Sequence, residues 1–295
     1  MREAGRGWWG GLVDFLALLG IGLLTGATTV LFGFGGGFVA VPVVVWANAA
    51  LGADAMRVAT ATSALVMLVN AAFATAVTPR RVLAALRGSG TLLLLLAAGA
   101  AGGALATRHA PPGQARWGFL GYVALTIVDL LLRPGFLRSR GRGGESLEGA
   151  GEETREGTVK ETCEVPRPLP AVLGAPIGAV AAFLGVGGSV MTVPALRRAG
   201  HPMRVATALA NPLTLAVALP ATALSLGGEA GVPAADSHPH LVGLVDLRAA
   251  GALLIGALPV IAVLRRRPPR IPDRGYAWTY LALLGVVEVA MLLAG

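Results

Sequence analysis

Charge is scarce in this chain. Only 14% of its 295 residues are Asp, Glu, Lys or Arg, against about 25% in an ordinary soluble domain, while 55% are hydrophobic and the mean hydropathy is +0.70. That composition excludes a soluble globular domain and calls for an integral membrane protein. Cysteine is nearly missing as well. The lone Cys163 sits among charged residues, which excludes an intramolecular disulfide framework and a multi-cysteine metal site and leaves a loop residue. Histidine is rare and lies outside the apolar runs, at His109, His201, His238 and His240. With no HExxH pair and no Ser/His dyad in the oily segments, the set an intramembrane enzyme needs is lacking, so no enzyme and no cofactor are expected. A net charge of +8 would suggest nucleic acid in a soluble protein, but the basic residues fall between apolar runs, where they set topology instead.

What is present are long apolar stretches. A helix needs about 20 residues to cross roughly 30 Å of hydrocarbon, and stretches of that order occur at 10 to 32, 58 to 77, 88 to 106, 117 to 132, 205 to 226, 247 to 264 and 278 to 294. Residues 33 to 51 and 169 to 196 are equally apolar but are broken by Gly and Pro, so each is a span, half a span or a re-entrant segment. The N-terminal run is long and has no small-residue cleavage site, which reads as a retained first helix. The class is therefore an all-α integral membrane protein.

An internal repeat organises the chain. Residues 33 to 42 read GFGGGFVAVP and residues 185 to 194 read GVGGSVMTVP. A shift of 152 aligns 22 to 42 with 174 to 194 with 8 identities in 21, and MRVATA at 56 to 61 returns unchanged at 203 to 208. Later parts align more loosely, LRGSGTLLL near Arg87 facing LRAAGALLI near Arg248, and Asp129 facing Glu288. The expected organisation is a first transmembrane repeat at 1–132, a charged linker at 133–168 too poor in apolar side chains to fold alone, and a second repeat at 169–295.

Two topologies follow. Four full spans per half, with the glycine segments not crossing, divide the 24 basic residues 13 to 11 at best. Five crossings per half, with the N-terminus outside, divide them 18 to 6 and make the second half inverted relative to the first, as in many secondary transporters.

Glycine clusters in oily sequence have two uses. They let helices approach closely, the role assigned to the GxxxG spacings at Gly22 and Gly26, Gly99 and Gly103, and Gly174 and Gly178. They also free backbone N–H groups ahead of a helix N-terminus, where an anion is favoured. Irregular backbone at membrane depth is tolerated only beside protein or a wet cavity, so the paired clusters mark either a central site or a packing joint. Candidate ligand groups are Gly35, Gly36, Gly37, Gly187, Gly188 and Ser189, with valine at Gly36 or Gly188 expected to block the ligand without preventing folding. A nucleotide phosphate loop does not fit, since no lysine follows either cluster.

Polar helix starts follow each cluster, MRVATATS and MRVATALAN. Thr60, Thr62, Ser63, Thr207 and Asn211 can line a polar path or bond their own backbone, and Arg57 and Arg204 either attract an anion or signal topology. Asp129 and Glu288 lie in apolar stretches, where an ionisable group points to proton coupling; Asp129 could instead pair with Arg133. Asp236, His238 and His240 form loop sequence of poor geometry for a metal, and none is expected.

The two copies of Gly-x-Gly-Gly-Gly/Ser-x-x-x-Val-Pro, each followed by a polar-start helix, resemble the sulfite exporter TauE/SafE family of membrane permeases. The resemblance covers nearly everything outside the linker. It implies a multi-pass permease of the cell (cytoplasmic) membrane that moves small, mostly sulfur-containing anions such as sulfite, sulfonates or sulfoacetate by alternating access, with its site at the glycine strings. The chain departs from the pattern at Ser189 and at ALAN over 208 to 211. The alternatives are a permease for another small organic anion and a non-transporting membrane assembly partner.

Overall fold

The computed structural model describes residues 3–86, 88–111, 113–132, 170–201, 203–227, 240–266 and 273–293. The linker with Cys163 and Arg133, and the loop with Asp236 and His238, lie outside the described residues. The helices are α1 (Glu3–Phe32), α2 (Gly37–Ala47), α3 (Ala55–Ala76), the short α4 (Arg80–Leu83), α5 (Gly90–His109), α6 (Gln114–Leu132), α7 (Gly174–Leu184), α8 (Ser189–Arg198), α9 (Met203–Gly227), α10 (Leu247–Arg266) and α11 (Asp273–Leu293). A two-residue hairpin, β1 (Leu241–Val242) with β2 (Val245–Asp246), leads into α10. His109, expected outside the spans, closes α5.

Six helices are long and apolar enough to cross a bilayer, at Ala55–Ala76, Gly90–His109, Gln114–Leu132, Met203–Gly227, Leu247–Arg266 and Gly275–Leu293. Their outward faces carry Leu94, Trp117, Leu132 and Trp278, each more than 60% exposed, a surface suited to lipid rather than water. The broken segments resolve into half-spans. α2 has 11 residues and α8 has 10, about 16 Å each at 1.5 Å per residue, half the hydrocarbon thickness. α7 is also short, at 11 residues.

The two halves of the chain interlock instead of packing side by side. α1 lies along α10 and α5 lies along α7, with α3 against α9 at the centre. Bare glycine makes the outer pairs close. A Cβ on Gly22 would lie 2.6 Å from Leu253 O, one on Gly26 would lie 2.5 Å from Ala257 O, and one on Gly256 would lie 2.5 Å from Leu19 O. Gly99 and Gly103 meet the backbone of Ala175 and Ala179 in the same way, and Gly178 meets that of Leu96. The GxxxG spacings are thus contact faces.

Because contacts advance in step, Gly22 to Leu253 and Gly26 to Ala257, α1 and α10 run in the same direction. So do α5 and α7. The central pair runs oppositely. α3 meets the second break at Thr60 and Ser63 and the first at Asn70, while α9 meets the first break at Thr207 and Ala210 and the second at Val217. α2 turns back from α1, and its end at Asn48 donates 3.0 Å to Asp246 Oδ2. Asp246 also receives the N–H groups of Arg248 and Ala249, each at 3.0 Å, as the cap of α10, and its own N–H donates 2.9 Å to Thr62 Oγ1. Through its carboxylate and its backbone N–H, Asp246 therefore ties α2, α3 and α10 together at the end where α3 starts.

Candidate functional site

Two interruptions face each other across the α3–α9 pair. Residues 33–36 separate α1 from α2, and residues 185–188 separate α7 from α8. Each is entered through left-handed glycine, Gly33 (φ 73) and Gly185 (φ 69), with a second at Gly35 (φ 63) and Gly187 (φ 72), backbone that residues with a side chain rarely adopt. The chain reverses there, so the first turns of α2 and α8 open into the core, and their free N–H groups supply positive partial charge.

Around these openings the structure gathers buried polar side chains. Asn70 is fully buried, and its Nδ2 donates 3.3 Å to Gly35 O while its Oδ1 has no partner. Asn211 is likewise buried, with Nδ2 donating 3.1 Å to Thr207 O and Oδ1 unpaired. Ser63 Oγ lies 2.8 Å from Thr60 O and 3.0 Å from Gly185 O, stitching α3 to the second break. Thr60 Oγ1, Ser189 Oγ, Thr192 Oγ1 and Thr214 Oγ1 are buried without a hydrogen-bond partner. An aromatic cluster of Phe32, Phe34, Phe38 and Tyr280 covers the first break, and Tyr280 OH donates 3.2 Å to Val190 O of α8.

Most of the residues singled out in the sequence converge here: Gly35, Gly36, Gly37, Gly187, Gly188 and Ser189 at the breaks, and Thr60, Ser63, Thr207 and Asn211 on the central helices. Others stand elsewhere. Thr62 turns to the hairpin and accepts from Asp246. Arg204 is exposed, whereas Arg57 is half-buried, with Nη1 3.4 Å from Asp54 Oδ1 and Nη2 donating to the Arg108 carbonyl. Asp129 pairs with Arg198 at 2.5 Å, linking the ends of α6 and α8, so a partner comes from the other half of the chain. Glu288 is half-buried in α11, with Oε2 buried and unpaired.

The expectation that Gly36 tolerates valine does not survive. At φ 87 a Cβ there would collide with the Thr25 side chain and lie 2.8 Å from Asn70 Nδ2. Gly188 differs, having φ −69 and Val217 Cγ2 as nearest neighbour at 3.5 Å.

Four residues of the site escaped sequence reasoning: Asn70, Met67, Thr192 and Thr214. Asn70 carried a signal, since an amide inside a span is itself a departure from the pattern. Met67 carried none. Its thioether fills the gap between the breaks, touching the places a Cβ would take on Gly37 and, at 2.7 Å, on Gly187, so those glycines make room for sulfur in this conformation. Thr214 stands opposite, 2.9 Å from the Cβ place on Gly35. Among the described residues no group of three or more His, Cys, Asp or Glu could hold a metal ion.

Comparison with known proteins agrees with this architecture. No curated protein and no solved structure matches the chain. The pattern of the Sulfite exporter TauE/SafE family, however, matches residues 18–291, spanning both breaks and every long helix. With that match across nearly its whole length, the chain belongs to the sulfite exporter TauE/SafE family of multi-pass membrane permeases for sulfur-containing anions.

Proposed function

We propose that the protein carries a small sulfur-containing oxyanion, of the sulfite, sulfonate or sulfoacetate class, across the cytoplasmic membrane through the space between the two breaks. The observation that carries this reading is the set of unpaired buried polar groups: the hydroxyls of Thr60, Ser189, Thr192 and Thr214 and the amide oxygens of Asn70 and Asn211. Each costs about 1–3 kcal/mol if left unsatisfied, so six around two helix openings mark a place built for a polar guest. The hydroxyls and the free helix N–H groups donate to an oxyanion, and the amide oxygens accept from its protonated form or its hydration water.

Alternating access follows from treating the chain as two inverted repeats of five helices, α1, α2, α3, α5, α6 and α7 to α11. Parallel α1–α10 and α5–α7 pairs with an antiparallel α3–α9 pair support that arrangement. So does the 18 to 6 division of the basic residues that five crossings per half would give. Rocking one set of helices against the other would expose the breaks to each side in turn.

Uptake of radiolabelled sulfite by proteoliposomes, compared with taurine, sulfoacetate and thiosulfate, tests the reading. Flux of at least one above that of empty vesicles is expected, and flux of none overturns it. Glu288, unpaired within its helix, is assigned the coupling proton, whereas Asp129 is held by Arg198. Glu288→Gln should therefore abolish acceleration of uptake by a pH gradient while leaving anion binding intact; an unchanged response to the gradient removes the assignment.

A further inference from the structure

The end of the molecule where α3 starts carries two openings that the breaks do not use. The first is a cavity of about 450 Å³ between α1, the end of α2, the hairpin and the start of α10, walled by Asn48, Leu51, His240, Asp246 and Arg248, among others. That falls within the roughly 300–1,000 Å³ of sites for small organic groups. The second is an open groove of about 340 Å³ between α1, α2 and α11, lined by Ile21, Pro42, Val43, Ala290 and Leu293. It offers no polar side chain.

Trp46 belongs to the walls of both, and it is 57% exposed. Order along the helices sets their relative depth. On α1 the cavity touches Leu18 and the groove touches Ile21, one turn nearer the first break; on α2 the cavity touches Ala47 and Asn48 and the groove touches Pro42 and Val43, again nearer that break. The polar cavity thus lies at the helix ends and the apolar groove about 5 Å deeper in the membrane. A tryptophan at that step stands where aromatic side chains meet the bilayer interface.

The cavity's charges select a headgroup. Among the described residues its wall holds one guanidinium, on exposed Arg248, one carboxylate, on half-buried Asp246, and the exposed imidazole of His240. The Asp246 carboxylate accepts from the N–H groups of Arg248 and Ala249 at Oδ1 and from Asn48 at Oδ2, which leaves Oδ2 capacity for one more donor. A ligand with one positive and one negative group matches this wall, whereas a lone anion would face Asp246 and a lone cation would face Arg248.

We propose that cavity and groove together form a site for one phospholipid with a small zwitterionic headgroup, its ammonium at Asp246, its phosphate at Arg248 and His240, and one acyl chain in the groove below Trp46. Such a lipid clamps the end of α2, the half-span that begins at the first break, against α1 and α11. The site needs only a bilayer around the protein. Loss of anion flux with lipid binding intact would sink the permease reading and leave this one standing.

The full chain, stripped of lipid in detergent, is titrated with phosphatidylethanolamine, phosphatidylglycerol, phosphatidylcholine and free phosphoethanolamine, with bound lipid counted by native mass spectrometry and stability followed by melting temperature. One phosphatidylethanolamine per chain should bind about tenfold more tightly than either other lipid, the scale of one hydrogen bond to a charged group, and raise the melting temperature saturably. Phosphatidylcholine lacks the N–H donors for Asp246, and phosphatidylglycerol lacks the positive charge. Arg248→Gln should weaken phosphatidylethanolamine about tenfold while Arg248→Lys keeps it, and Trp46→Ala should weaken all three lipids alike. All three variants replace exposed side chains and should fold. No saturable binding, equal binding of the three lipids, or unaltered binding in Arg248→Gln would overturn the site. So would free phosphoethanolamine raising the melting temperature as the lipid does, because the cavity would then be a pocket for a soluble zwitterion.

Discussion

The two breaks follow nearly the same sequence and the same chain path, yet they are filled differently. At the first, Gly36 is a left-handed cap pressed against Thr25 and Asn70, and aromatic rings close over it. At the second, Gly188 has ordinary helical dihedrals and a Cβ there would meet Val217 at an ordinary contact distance of 3.5 Å, and a small cavity lies beside Thr60. A duplicated motif therefore does not carry a duplicated role. In this conformation Gly36 answers to packing while its counterpart Gly188 could carry a Cβ, although Gly185 and Gly187 are packed as closely as the glycines of the first break.

The largest expected effect tests the packed side. Gly36→Val forces a β-branched residue to positive φ and into the Thr25 side chain, a loss of about 3 kcal/mol or more, so the variant should fail to purify as a monodisperse protein. Recovery of a normally melting Gly36→Val would erase the contrast. Next comes the divider between the breaks: Met67→Ala empties the space against Gly37 and Gly187 and should cost about 2 kcal/mol or more. The same variant should shift preference from sulfite towards larger sulfonates in competition uptake; an unaltered preference would make Met67 plain core.

Gly188→Val is the matched partner of the first variant. It should fold, with a melting temperature within about 4 °C of the parent, but lose sulfite binding by about tenfold or more. Destabilisation equal to that of Gly36→Val would show the two breaks to be alike. The smallest effect belongs to a surface link. Asp129→Asn gives up an ion pair whose side chains are 35% and 45% exposed, so stability should fall by less than about 1 kcal/mol and the pH response of transport should stay as it was.

Much of this was readable in the sequence because membrane solvent makes hydropathy so discriminating. The long spans and the positions of both breaks follow from the length of apolar runs and from where glycine and proline interrupt them. Partners were harder to find. The spacing of Gly22 and Gly26 announces a contact face but does not say that α10 covers it. Nothing in the sequence near Asp129 pointed to Arg198, which the fold brings to it from the other half. Met67 gave no signal in the sequence because a thioether in an apolar run is ordinary; only its place between two glycine turns sets it apart. Asp246, in a loop with no motif, could not be recognised as the joint of three helices before Asn48 and Thr62 were seen to meet it.

The crossed pairing also bears on how the chain is made. Gly22 and the Leu253 backbone that covers it are separated by about 230 residues, which a ribosome adds in roughly ten to fifty seconds. Throughout that interval the glycine face of α1 has no helix of its own half to receive it. Lipid, or an insertion factor, must shield it until the last fifth of the protein emerges. Biogenesis of this permease is therefore a waiting problem, and a nascent chain arrested before α10 should be recognised by the cell as unfinished even though four of its six long spans are already in the bilayer.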